Sequence, residues 1–161
     1  MMTEREKRFE RLIELGIALS SERDHNRLME MILREAKRIP NADGGTLYLY
    51  DEEADALSFE IMRNDTLNIA LGGTTGQDIP FPPLQTYDPE TKEGNYKNVA
   101  TAVALTKQQS NISDAYIVEE YDFSGTKAFD EKTGYRSTSF LTIPLLNRAD
   151  DVIGVVQLIN A

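Results

Sequence analysis

The sequence predicts an α+β fold: a central antiparallel sheet of about six strands, helices packed on it, and a long irregular region between two hairpins. Three observations predict it. Two N-terminal segments place apolar residues at three- and four-residue spacing. Two later pairs of segments alternate with period two. A stretch rich in Gly and Pro separates those pairs.

The first helix is expected over residues 3–19, where Phe9, Leu12, Ile13, Gly16 and Leu19 recur at helical spacing among charged residues. At 1.5 Å rise per residue such a helix is about 25 Å long. It is amphipathic, so it either lies on the sheet or pairs with a copy of itself. Ser21-Glu22-Arg23-Asp24 then resembles a capping box. A second helix, about residues 25–38, aligns Leu28, Met31, Ile32, Glu35/Ala36 and Ile39 on one side and ends at Pro40-Asn41. Two units are therefore expected: residues 1–20, a dimerisation or linker helix, and residues 21–161, the domain proper.

From Gly44 the period becomes two. Thr46–Tyr50 and Leu57–Ile61 alternate around the acidic turn Asp51–Asp55, which marks a hairpin. Ser139–Leu146 and Val152–Ile159 repeat the arrangement around Asn147–Asp151. Pro144 has no amide hydrogen to donate, so it belongs at an edge or bulge. Between the hairpins, Gly72-Gly73-Thr74-Thr75-Gly76 and Pro80, Pro82, Pro83 and Pro89 exclude regular structure over about residues 71–94. Residues 97–107 read as a short helix, and 111–118 as a brief strand followed by a helical turn.

The 161 residues fit one domain with a helical extension, and 40 % hydrophobic residues supply a core. No apolar run approaches the roughly 20 residues that span a bilayer. The charged N-terminus lacks the apolar segment of a secretion signal. Cysteine is absent, which excludes disulfides, thiol nucleophiles, thiolate metal sites and thioether-linked chromophores. A cytoplasmic location is expected. The single histidine, His25, follows a helix cap and reads as a surface residue, leaving nothing for histidine-based metal or triad chemistry. The net charge of −10 repels phosphate backbones, so no nucleic-acid partner is expected.

Several segments resemble the GAF family: Ala42-Asp43-Gly44-Gly45-Thr46-Leu47-Tyr48-Leu49, Asn111-Ile112-Ser113-Asp114-Ala115-Tyr116, Phe129–Ser139, and Thr142-Ile143-Pro144-Leu145 followed by Val152–Asn160. The likeness covers roughly residues 12–161. It is similar above all to the branch found in cyclic-nucleotide phosphodiesterases, bacterial adenylate cyclases and HD-type phosphohydrolases, which carries a motif of N, K, F, D and E. Asn111 matches its Asn, Phe123 or Phe129 its Phe, and Asp130-Glu131 its acidic pair. The motif's Lys has no counterpart, since Ile112 follows Asn111. In the family these residues shape and brace the pocket more than they touch the ligand.

The resemblance implies a regulatory sensory domain of a larger bacterial-type signalling protein, not an enzyme by itself. It would bind a small molecule, with cAMP or cGMP as candidates, and relay the state to an attached output domain. The alternative is a dimerisation and relay domain without ligand, paired as a homodimer through the N-terminal helix. Methionine sulfoxide reduction, bilin attachment and haem ligation, all found on GAF-like proteins, need cysteines or histidines that this chain lacks.

The expected ligand-binding residues are Asn111, Asp114, Tyr116, Asp130, Tyr135, Thr138 and Thr142. Tyr116 and Tyr135 flank the variable region and can stack a purine. Thr138 and Thr142 place hydroxyls on one strand face. Asp130 can cap the following Thr-Gly turn or pair with Arg136 or Lys127. Gly72–Gly76 is expected to be a pocket lid rather than a phosphate cradle, because no Gly-Lys-Ser/Thr follows. The acidic run Asp114, Glu119, Glu120, Asp122, Asp130 and Glu131 has no cation-binding spacing and reads as a solvated face.

Overall fold

The computed structural model describes residues 3–8 and 25–161. Residues 4–8 are helical, opened by a reciprocal cap in which Thr3 Oγ1 accepts from Glu6 N and a Glu6 carboxylate oxygen accepts from Thr3 N. The rest of the expected first helix and the capping box at 21–24 lie outside the described residues.

Three helices follow: α1 (His25–Arg38), α2 (Val99–Thr106) and α3 (Ser124–Thr133). The strands are β1 (Gly44–Asp51), β2 (Ala56–Asn64), β3 (Ile69–Gly72), β4 (Leu84–Gln85), β5 (Ser110–Ile112), β6 (Phe140–Leu146) and β7 (Val152–Ile159). They form one antiparallel sheet of seven strands, against the six or so expected, in the order β3-β2-β1-β7-β6-β5 with β4 also on β2. The extra strands are two to four residues long, too short to show a period in sequence.

Both hairpins form where alternation placed them, and β1 beside β7 joins them. Their turns are fixed by side chains that mimic backbone acceptors. Asp51 Oδ1 accepts from Glu53 N and Ala54 N, and Asn147 Oδ1 accepts from Ala149 N and Asp151 N. Pro144 sits beyond the last β5 pairing, which ends at Thr142, so no strand lies beside it on that side.

The sheet separates two cores. On one face α1 packs Met29 and Leu33 against Leu47, Ile61, Val156 and Leu158. On the other, α2 packs Val99, Ala100, Val103 and Ala104 against Tyr48, Leu57, Phe140 and Val155. The α1 stripe differs from the sequence expectation. Met29 and Leu33 are buried with Ile32 and Ala36 beside them, whereas Ile39 is exposed. The cause is local: Gly45 has no side chain, and Leu33 and Lys37 close over it. Arg38 and Glu35 pair on the outer side.

One irregularity decides which residues face which core. Leu47 opposes Ile61 but Tyr48 opposes Phe59, so Glu60 is an extra residue in β2. Leu57 and Phe59 therefore join the α2 core, while Ile61, two residues on, joins the α1 core. Simple alternation would put all three on one face.

Helix α3 escapes a periodicity reading. Gly125, Thr126 and Thr133 are poor helix formers, and only Asp130 among its residues is buried. Its legible signal is Gly134, left-handed at φ 76°, whose amide donates to Asp130 O at 2.8 Å. Helix α2 is apolar on nearly all sides, capped by Asn98 Oδ1 accepting from Thr101 N.

Gly154 tests the β1–β7 contact. A Cβ there would stand 2.5 Å from Tyr48 O, a backbone atom that cannot swing aside. Gly154→Ala is expected to cost about 1–3 kcal/mol, read as a lowered urea midpoint with an unchanged slope.

Candidate ligand pocket

The face of the sheet turned to α2 is not fully covered. Between it, α3 and the segment after β3 lies a cavity of about 670 Å³. Clefts of this size hold small organic ligands. Its floor is β-sheet: Thr46 and Tyr48 from β1, Phe59, Met62 and Asn64 from β2, Phe140 from β6, Gln157 and Ile159 from β7. One wall is α3, through Gly125, Thr126, Ala128, Phe129, Lys132 and Thr133. Asn98 and Val99 close it at the start of α2, and Pro80, Phe81 and Leu84 form the opposite wall.

The lining is mainly apolar with a few aimed polar groups. Tyr48 and Phe59 stack tilted at 4.8 Å, and Phe81 lies 5.5 Å from Phe59. Tyr48 is 4 % exposed, and burial pushes its hydroxyl far above the usual tyrosine range, so it stays neutral. Gln157 Nε2 donates to Thr142 Oγ1 at 3.2 Å, which holds the amide in place on the floor. Thr46 and Asn64 add a hydroxyl and an amide. Lys132 and Arg63 supply positive charge, Arg63 already paired with Glu30 at 3.1 Å. The first turn of α3 presents the amides of Gly125 and Thr126, which have no acceptor within a helix. The Ser124 amide there is taken by Asp122 Oδ1, and the Ser124 hydroxyl first, then this amide, hold the Asp122 carboxyl below the usual carboxylate range.

None of the seven expected residues lines this cavity. Thr142 comes nearest: it is fully buried on the floor side and reaches the cavity through Gln157. Thr138 precedes β6; its amide donates to Asn160 Oδ1 and its carbonyl accepts from Ala115 N. Asn111 is exposed on β5 and lines a separate cleft with Tyr96, Lys97 and Tyr121. Asp114 Oδ1 accepts from Tyr116 N, closing a turn.

The remaining three make two braces. Asp130, 4 % exposed, accepts from the Tyr116 hydroxyl, from Ser137 N at 2.8 Å and from Ser137 Oγ at 2.7 Å. Of the two roles expected of Asp130, a cap on the following turn or an ion pair with Arg136 or Lys127, the ion pair does not form. Both cations instead lie over the Tyr116 ring, Arg136 at 4.0 Å and Lys127 at 5.7 Å. Neutral donors already surround the carboxylate, which is why neither cation is needed there. The Asp130 bond is also the main reason the Tyr116 hydroxyl is raised above its usual range. Tyr135 makes the second brace, donating to Asp43 Oδ2 at 2.5 Å and accepting from Asn160 Nδ2 at 2.9 Å.

The turn at Gly72–Gly76 leaves no phosphate cradle. Gly72 N donates to Gln77 O, Thr74 N to Glu30 Oε1 and Gln77 N to Thr75 Oγ1. The cavity residues that sequence reasoning missed, Thr46, Phe59, Asn64, Phe81, Phe129 and Gln157, carried one readable signal. Thr46 and Tyr48 alternate on the face away from Leu47, and Gln157 interrupts an otherwise apolar strand.

Two outcomes follow. Asp130→Asn removes the charge and one acceptor oxygen: its carbonyl can still accept from Ser137 N, but the position that accepts from Ser137 Oγ becomes a donor, at a cost of about 1–3 kcal/mol by denaturant unfolding. Asp43 is held below the usual carboxylate range chiefly by the Tyr135 hydroxyl. A depressed folded pKa adds stability that is present above the unfolded value and lost as pH falls through the folded one. Tyr135→Phe is therefore less stable than wild type at neutral pH, and the gap in urea midpoint narrows on acidification below the ordinary Asp value.

Among the described residues no helix is long and apolar enough to cross a membrane. The family model for the GAF domain matches residues 24–161. A cGMP-specific 3',5'-cyclic phosphodiesterase of Drosophila pseudoobscura pseudoobscura is 28 % identical over 156 residues, covering 94 % of this chain and 13 % of that protein. Its counterpart in Drosophila melanogaster is also 28 % identical, covering 94 % and 12 %. The chain thus spans about an eighth of the length of these curated relatives. Among solved structures, the GAF domain of an Acinetobacter phosphoenolpyruvate-protein phosphotransferase superposes with a TM-score of 0.65 at 15 % identity, over 99 % of this chain and 78 % of that one. A free methionine-R-sulfoxide reductase from Neisseria meningitidis gives 0.60 at 12 % identity, over 92 % and 70 %. The match to the family over most of its length, with the antiparallel sheet and helices seen here, leads to one conclusion: the chain belongs to the GAF domain family.

Proposed function

We propose that this chain is the sensory domain of a larger signalling protein and holds a small molecule, a cyclic nucleotide first among candidates, in the cavity over the sheet. The observation that carries the reading is the cavity's chemistry. Aromatic rings of Tyr48, Phe59 and Phe81 offer stacking to a flat base. Asn64, Thr46 and Gln157 on the floor offer hydrogen bonds to its edge. The open amides of Gly125 and Thr126 at the start of α3, with Lys132 on the same helix, suit a single negative charge such as a cyclic phosphate. Lys132 carries the positive charge of this wall, and Asp122, whose Oδ1 accepts from Ser124 N, stands beside the helix start with the opposite sign. The relatives named cGMP-specific phosphodiesterases point to the same ligand class.

In this reading the chain regulates and does not catalyse. Asp130 and Tyr135 act by holding the pocket's frame. Residues 21–161 are the sensory unit, and residues 1–20 are a helix that pairs two copies in the cytoplasm and connects them to an output domain.

Isothermal titration of cGMP and of cAMP tests the ligand. Binding by wild type, weakened at least tenfold in Gln157→Leu and Phe129→Ala, supports the proposal. No heat with either nucleotide at high micromolar concentration, and no small molecule in the native mass spectrum of the purified protein, overturns it.

A further inference from the structure

The segment that closes the cavity begins on the opposite side of the sheet, against α1. After β3 the chain makes one 3-10 turn, Gly73–Thr75. Glu30, on α1, grips it: Glu30 Oε1 accepts from Thr74 N at 2.6 Å and from Thr74 Oγ1 at 2.8 Å. The same oxygen accepts from Arg63 Nη2 at 3.1 Å, and Arg63 Nη1 donates to Leu71 O of β3 at 2.8 Å. Gly73, at φ 62°, lies so close to the Glu30 carboxylate that any side chain there would collide with it.

The turn is also closed on itself. Gly72 N donates to Gln77 O at 2.7 Å, Thr75 Oγ1 to Gly72 O at 2.8 Å, and Gln77 N to Thr75 Oγ1 at 3.1 Å. A turn bonded this way moves as a unit and does not absorb displacement. Four residues beyond Gln77, Phe81 is 42 % exposed and packs on Phe59 at the cavity wall.

We infer that Glu30 is the relay residue of this domain: through Thr74 and the 72–77 turn, it ties the position of α1 to the position of the cavity wall at Pro80–Phe81. The inference rests on the proposal that the cavity takes a ligand. Contacts that draw Phe81 onto a ligand pull on the turn, and the turn pulls on the carboxylate of α1. The signal passes around the β3 edge and need not cross the packed sheet. Reciprocity follows, because any displacement of α1 biases how the wall closes.

Hydrogen exchange read by mass spectrometry on the whole chain tests the relay, in wild type, Glu30→Ala and Thr74→Val. Without ligand, Glu30→Ala is expected to speed exchange roughly tenfold in residues 84–86, the hydrogen-bonded amides that follow the Pro80–Phe81 wall, as loss of charge-assisted bonds implies. Thr74→Val, remote from either core, is expected to speed exchange in 25–38. With cGMP as probe, wild type slows in both 84–86 and 25–38, and Glu30→Ala, which removes the bonds to both the Thr74 amide and its hydroxyl, slows in 84–86 alone. An α1 response to cGMP that survives in Glu30→Ala overturns the relay, and so do ligand-free variants that exchange as wild type does. A wild type that ignores cGMP counts against the ligand proposal, and the ligand-free comparison still decides the relay.

Discussion

The buried carboxylate of Asp130 is the interaction on which the cavity depends. Helix α3 contributes almost nothing to either hydrophobic core, since Asp130 is its one buried residue. Its position is set by Phe123 at its N-cap, packed on Phe140 at 5.1 Å, and by hydrogen bonds from Asp130 to Tyr116 on the preceding segment and to Ser137 on the following one. A carboxylate removed from water must find donors, and here three converge on it. The helix that results is held at its C-terminal half and open at its N-terminal turn, where Gly125 and Thr126 face the cavity. A helix fixed by apolar packing would have filled the space that it now encloses.

The second constraint is the close approach of backbones without side chains. Gly45 admits Leu33 of α1, and Gly154 admits the carbonyl of Tyr48. Both lie on the central strands β1 and β7, so the sheet is tight where the two hairpins meet, and its two bulges fall at Glu60 in β2 and at Ile153 in β7, beside Gly154. Asn160 then locks the end of β7. Its Oδ1 accepts from Thr138 N and Ser139 N, and its Nδ2 donates to Tyr135 Oη and Arg136 O. The segment from 135 to 139 is thereby fixed to the sheet it leads into.

The sheet was legible because alternation is a long-range pattern: β1, β2, β6 and β7 each run seven to nine residues. Short strands and the weakly patterned α3 left no period to read. Asp114, Tyr116, Asp130, Tyr135 and Thr138 were expected to contact a ligand, and they are instead bonded to one another or to the chain nearby, outside the lining of the cavity. What sequence did not reveal is the distinction between residues that build a pocket and residues that face it. That distinction depends on which side of a strand points inward, and at β2 a single extra residue changes the side.

Glu60 thus acts as a phase shift within one strand. Before it, β2 is read in the frame of the cavity, with Leu57 and Phe59 turned to the α2 core. Past it, Ile61 is read in the frame of α1. A single continuous strand consequently borders both faces of the sheet with large apolar side chains, which strict alternation with polar residues would not allow. A residue gained or lost elsewhere in β2 is for this reason more disruptive than a substitution, because it moves the side chains beyond it to the opposite face, whereas loss of Glu60 itself would leave Leu47 opposite Ile61 and Tyr48 opposite Phe59.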